Sequence, residues 1–245
     1  MRREDNAFRF FFRKALCLLA LAVLTAGPIF ALTLSELRTD IRLRIKDTSS
    51  TRQRFSDTHL LTIINQGQRD VINTTWAISK STTITLVAGT QYYTLPTDIL
   101  QIQRVTNEYA NLPEVTLQQQ DTDNANTDWE SDSDTPIYFF QNKARTTEVG
   151  IAPTPTAGGT LRIIYYATAS SLSSDSDEPF NGEDRFNNYH DLLVHYTCGA
   201  VFLLEGEIAK AQSYHQLYET RLKTMRENIG TKPFMSSQIP VVDAQ

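Results

Sequence analysis

Cysteine is scarce in this chain. Its 245 residues hold two, Cys17 and Cys198. Two thiols build neither a disulfide framework nor, on their own, a thiolate zinc site. Positive charge is in deficit, with 23 Lys and Arg against 28 Asp and Glu, a net charge of -5. A dedicated nucleic-acid binder needs clustered cations for phosphate, and this balance argues against one. The apolar run at residues 15–25 falls short of the ~20 residues that cross a bilayer. No internal repeat is evident, and no Gly-x-Ser-x-Gly, Walker loop or dinucleotide fingerprint is present. What the chain does have is 40% hydrophobic and 10% aromatic content, enough to fold. The length suits one large domain or two small ones.

Residues 1–31 differ from the rest. Arg2, Arg3, Arg9, Arg13 and Lys14 precede the apolar run, and small residues lead to Ala31. This is the pattern of a signal peptide. It reads either as an export leader or as an upstream extension of the reading frame that is never processed. Cys17 follows Lys-Ala-Leu and is no lipobox cysteine. Without this leader the chain has 18 basic and 26 acidic residues, net -8.

Two helices are expected next. Thr33 and Glu36 form a capping box, and the helix it opens runs to about Lys46 with Leu34, Leu37, Ile41 and Ile45 on one face. Asp57 reads as the N-cap of a second helix striped by Leu60, Leu61, Ile64, Val71, Ile72 and Trp76. The period then changes to two. Strands are expected at 82–87, 92–96, 99–105, 136–141, 147–152 and 160–168, with a short strand or a first turn of helix at 114–117. Residues 106–113 read as a loop. The Pro- and Gly-rich stretch 153–159 reads as the turn joining the last two strands. After a polar, acidic linker at 169–183 the helical period returns. Phe186, Tyr189, Leu192, Leu193, Tyr196, Ala200, Leu203 and Leu204 stripe a third helix, and Gly206 ends it as a C′ glycine. The fourth carries Ala211, His215, Tyr218, Leu222, Met225 and Ile229 on one face. So short a turn makes these helices antiparallel neighbours.

The expected fold class is α+β: a four-helix bundle of two helical pairs with an inserted antiparallel β-sandwich or barrel module. The expected domains are the leader 1–31, the bundle 32–80 with 180–230, the β-module 81–170, and an extended C-terminal tail 231–245.

The chemistry-bearing residues suggest no reaction. His195 and Cys198 are one helical turn apart, but two ligands do not make a metal site. With Phe202 they lie opposite the main stripe, so the third helix reads as apolar on both sides. The second side, His195, Cys198, Gly199 and Phe202, is the candidate subunit interface, with Gly199 permitting close approach. Asp121, Asp123, Asp128, Glu130, Asp132 and Asp134 resemble a calcium loop in charge alone. An EF-hand counted from Asp121 would need Gly and Glu where Asn126 and Asp132 stand. The plainer reading is a solvated acidic loop with Trp129 anchored on the β-module. His190 and Asp191 are adjacent on a helix and point about 100° apart, so they form no dyad. Asp175, Asp177 and Glu178 read as solvated loop.

Several strings resemble the head-tail connector (adaptor) proteins of tailed phages of podovirus and siphovirus type. They are Asn-Tyr-His-Asp-Leu-Leu-Val-His-Tyr at 188–196, Leu-Glu-Gly-Glu-Ile-Ala-Lys-Ala-Gln-Ser-Tyr at 204–214, and Tyr-Tyr-Thr-Leu-Pro-Thr-Asp-Ile-Leu at 92–100. Pro-Ile-Tyr-Phe-Phe at 136–140 and Ile-Ala-Pro-Thr-Pro at 151–155 fit the same module. The resemblance covers roughly residues 33–230 and implies a structural virion protein with no reaction and no cofactor. Such proteins form rings, typically dodecameric, that sit beneath the portal protein, offer a platform to a tail or nozzle protein, and let DNA pass through the lumen without specific binding. The resemblance also implies that the C-terminal tail reaches along the portal, with Pro233, Phe234, Met235, Ile239 and Pro240 as docking candidates. The alternative is an exported β-rich binding or envelope protein with a cleaved signal peptide, and a more distant one an exported hydrolase using the acidic loop.

Overall fold

The computed structural model describes residues 32–49, 51–108, 110–118, 121, 132–141 and 147–229. Helix α1 (Leu34–Arg44) starts on the expected capping box. Thr33 Oγ1 accepts from the Glu36 amide, and Glu36 Oε2 accepts from the Thr33 amide at 2.8 Å. Leu34, Leu37, Ile41 and Ile45 are all buried, as their spacing requires. Helix α2 (Asp57–Thr75) corrects the expected cap by one residue. Ser56 is the N-cap, its Oγ accepting from the His59 amide, and Asp57 sits in the first turn. There its carboxylate meets both the positive end of the helix and Arg42 at 2.8 Å.

The strands are β1 (Ser79–Leu86), β2 (Tyr92–Thr94), β3 (Ile99–Asn107), β4 (Asn111–Leu112), β5 (Glu114–Val115), β6 (Ser133–Asp134), β7 (Tyr138–Phe140), β8 (Glu148–Ala152), β9 (Thr154–Pro155) and β10 (Gly159–Ala167). They form sheets in the orders β1-β10-β3-β4 and β2-β8-β7-β5, and a small pair β6-β9. The fold class is α+β, with mostly antiparallel pairing; β5-β7 and β6-β9 are parallel. Two expectations are corrected here. The loop at 106–113 contains β4, which folds back on β3. Residues 153–159 do not close a hairpin: β8 pairs with β2 and β7, whereas β10 lies between β1 and β3. Proline and glycine mark where a chain turns but not which strand it meets next.

One contiguous apolar core runs through helices and sheets, from Leu37 and Ile64 to Val105, Ile151 and Leu161. Gly150 in β8 sets the closest approach in the second sheet. A Cβ there would lie 2.3 Å from the ring of the fully buried Phe140. Gly150→Ala is therefore expected to cost about 1–3 kcal/mol by overpacking, read as a lower urea midpoint with an unchanged slope.

The acidic linker is not merely solvated. Asn65 of α2 clamps the backbone of Leu172, donating to its carbonyl at 3.0 Å and accepting from its amide at 2.8 Å. Gln68, 1% exposed, donates to Ser170 O and accepts from the Phe180 amide. The Leu34 and Ser35 amides at the start of α1 donate to the carbonyls of Asp177 and Asp175. The Asp177 carboxylate accepts from the Ser173 and Ser174 amides, which hold it below the usual carboxylate range.

Two 3-10 segments (Pro179–Gly182 and Asp184–Tyr189) lead into helix α3 (Asp191–Leu204). The α3 stripe is also corrected. Its buried side chains are Leu192, Leu193, Val194, Thr197, Cys198, Val201 and Phe202, while Leu203 and Leu204 are 61% and 62% exposed. The expected C′ glycine is present: Gly206 has φ +77, its amide donates to Leu203 O, and the Glu207 amide donates to Phe202 O. This pair of bonds is a Schellman motif. Helix α4 (Ile208–Asn228) follows and packs along α3. It buries Ala211, Tyr218, Leu222 and Met225, but His215 points outward and Tyr214 takes its place, stacked on Phe202.

Candidate functional site: the outer face of the helical hairpin

The four interface candidates on α3 separate into two pairs. Cys198 is fully buried and Phe202 is 6% exposed, both inside this chain's own core. The sequence period made them look like a second, outward side; Tyr214 of α4 covers Phe202, and Arg44 and Asp40 of α1 lie near Cys198. Burial pushes the Cys198 thiol up to about 12, which disfavours the thiolate that metal binding or nucleophilic attack would need. His195 and Gly199 lie instead in a groove between α3 and α4 of ≈ 340 Å³, with Tyr196, Leu203, His215 and Tyr218. Gly199 faces α4 of the same chain, where an added Cβ would stand 3.6 Å from Tyr214 Cβ, an ordinary contact, so the expected close approach does not depend on glycine there.

The groove is mainly apolar. The His195 imidazole packs on Tyr214 with its Nε2 3.9 Å from Asp191, and burial lowers its pKa. Tyr218 donates to Asp70, and burial raises its pKa. No nucleophile and base face each other here, and among the described residues no cluster of three metal-ligating side chains exists. His190 and Asp191 make no dyad. His190 accepts the Leu32 amide on Nδ1 at 2.9 Å, while Asp191 binds Arg221 at 3.0 Å.

Sequence reading missed the end of the hairpin. Leu203, Leu204 and Ile208 are all more than half exposed around its turn. Arg54 ties Glu205 in that turn to the carbonyl of Ile45 beyond α1, near the exposed Leu43. The Schellman glycine was the available signal, because it places Leu203 and Leu204 on the final turn, where a stripe can run out into solvent. Of the acidic loop, Asp121, Asp132 and Asp134 are described. Asp123, Asp128, Glu130, Trp129, the leader 1–31 and the tail candidates Pro233, Phe234, Met235, Ile239 and Pro240 lie outside the described residues.

The model of the SU10 adaptor protein family matches residues 32–239, and so spans both helical pairs and all the strands. The chain belongs to the SU10 adaptor protein family. No curated protein matches it. The adaptor is thus a structural phage protein and a virion component, in a family that is generally non-enzymatic and works by contact with other virion components. Membership lends no support to the exported alternative. Among the described residues no helix is long and apolar enough to cross a membrane.

Proposed function

We propose that the adaptor forms a closed, dodecameric ring that docks beneath the portal, presents the platform for tail or nozzle attachment and lines part of the DNA channel. The observation that carries this reading is the family match over residues 32–239. In this reading 32–80 and 180–230 form a four-helix bundle, 81–170 an inserted β-sandwich or barrel module, and 231–245 a tail that docks on the portal through Pro233, Phe234, Met235, Ile239 and Pro240. A ring closes only if two unlike faces of one subunit match. The groove holding His195 and Gly199, with the exposed Leu203 beside it, is suited to be one of them. A net charge of -8 without the leader discourages the channel wall from gripping phosphate.

Native mass spectrometry of the full chain, alone and with a candidate portal, tests the assignment. A closed ring, or addition of many copies onto the portal, is expected. A single chain that ignores every portal offered, at all concentrations, would overturn it.

A further inference from the structure

Strand β1 is an edge strand, and its outer rim is bare. It pairs with β10 over eight residues in unbroken register, and among the described residues nothing pairs with its other side. The direction of its backbone groups follows from one bond. The Ala167 amide donates to Ile78 O, directly opposite in the same register, so the Ile78 carbonyl faces β10. Alternation along an antiparallel ladder then turns Lys80, Thr82, Ile84 and Leu86 toward β10. It leaves the N–H and C=O of Ser79, Ser81, Thr83 and Thr85 pointing away from the sheet. The side chains of these same four residues are exposed.

Edges of this kind are usually guarded by proline, bulges, charge or brevity. The other long strand near an edge, β3, is guarded twice. It has two register shifts against β10, and β4 covers its end. The edges of the second sheet, β2 and β5, are three and two residues long. β1 has only one of these protections, a single charge. It contains no proline, its ladder has no bulge, and Lys80, its one charge, points inward to Asp98 at 2.7 Å. A long row of alternating donors and acceptors with so little guarding recognises one chemistry, an extended polypeptide backbone.

We propose that a second copy of this chain adds a strand to the outer edge of β1, continuing the sheet from one subunit into the next. Charge favours a second copy. The chain is net acidic, yet residues 71–97 contain no Asp or Glu, and Lys80 is their single charged residue. Another acidic subunit meets no carboxylate from this stretch along the rim. The contact is one-sided, an acceptor edge that meets a different surface of the neighbour, as ring closure requires. The inference rests on the reading that copies assemble side by side, and adds where they join.

Residue-resolved hydrogen exchange on the full chain tests it, comparing isolated subunits with the assembly, on the portal if the portal is needed. In the subunit, the amides of Thr82 and Ile84 are protected while those of Ser81, Thr83 and Thr85 exchange freely. In the assembly all five are expected to be protected, the outward three slowing by about tenfold or more. Thr83→Pro removes an outward N–H without costing a bond to β10, a position where an edge strand tolerates proline. It should leave the subunit folded, by the exchange of Thr82 and Ile84, and abolish assembly, while Thr83→Val assembles as the parent does. Outward amides that exchange equally fast in subunit and assembly would overturn the proposal and leave the ring standing. A Thr83→Pro chain that assembles normally would do the same. A chain that never joins another copy would overturn both.

Discussion

Arg42→Met is expected to lower the unfolding free energy by about 3–5 kcal/mol, the range for removing one partner of a buried ion pair. Arg42 is 9% exposed and holds three acceptors at once: Asp47 Oδ2 at 2.8 Å, Phe55 O at 2.9 Å and Asp57 Oδ1 at 2.8 Å. Methionine keeps the aliphatic stem and removes the charge and the donors. Asp47, 3% exposed, would keep the amides of Arg54 and Phe55 as close donors, and its cation would then be the Arg54 guanidinium at 4.0 Å in place of Arg42 at 2.8 Å. The loop between α1 and α2 is pinned at this point, and Arg54 in the same loop reaches Glu205 in the hairpin turn. Loss of Arg42 should therefore loosen the apolar end at Leu43, Leu203 and Leu204 as well as lower the urea midpoint. The urea transition of Arg42→Met beside the parent measures this. A change under about 1 kcal/mol would show that water replaces the guanidinium at little cost.

What could be read from the sequence was what local chemistry fixes. The Thr33–Glu36 capping box, the α1 stripe and the Gly206 terminus depend on residues within a turn of each other, and each is found where expected. The longer strands were legible as segments, because alternation is local, whereas the two-residue strands β4, β6 and β9 are too short to show a period. The strands' partners were not legible, because β8 and β10 are close in sequence yet belong to different sheets. The linker was misread for a related reason. Its anchors, Asn65 on Leu172 and Gln68 on Phe180, are side-chain-to-backbone bonds across more than 100 residues, and no period announces them. On α3 a stripe drawn at helical spacing could not say that the rest of the chain would bury Cys198 and Phe202 and leave Leu203 and Leu204 bare. The family was legible because its strings are distributed along the chain. A contact surface has no reacting atoms to impose residue types, so the site itself was only partly visible.

Acid is expected to destabilise the adaptor well above the pH at which its carboxylates titrate, because of His190. The side chain is 1% exposed and packs against Phe180, and burial lowers its pKa from 6.5 to about 4, with Asp191 opposing the change. Its Nδ1 accepts the Leu32 amide, so the folded protein requires the unprotonated ring at that atom. Above pH 6.5 the ring is neutral in both states and contributes no pH dependence. Below 6.5 the unfolded chain takes up a proton that the folded chain refuses, and stability falls steadily until the folded ring itself protonates near 4. The loss over that window is about 3 kcal/mol, since each tenfold difference in proton affinity between the two states is worth about 1.4 kcal/mol. Asp57 and Asp177, held below their ordinary 3.8, and Glu36, below 4.5, contribute stability that is lost as pH falls from those ordinary values, so measurements kept above 4.5 see little of it, and Glu114, raised by burial, works in the opposite direction. His195, whose pKa is also lowered by burial, adds in the same direction. His190→Asn separates the two, since its amide oxygen can accept the Leu32 N–H and does not titrate. Urea unfolding of parent and variant between about pH 7 and about pH 4.5 should show a steep decline in the parent and a shallow one, from His195, in the variant. Equal slopes would mean that the ring takes up its proton without leaving the folded state. In that case the folded state would give up the bond that fixes Leu32, where the family match begins, at little cost in stability.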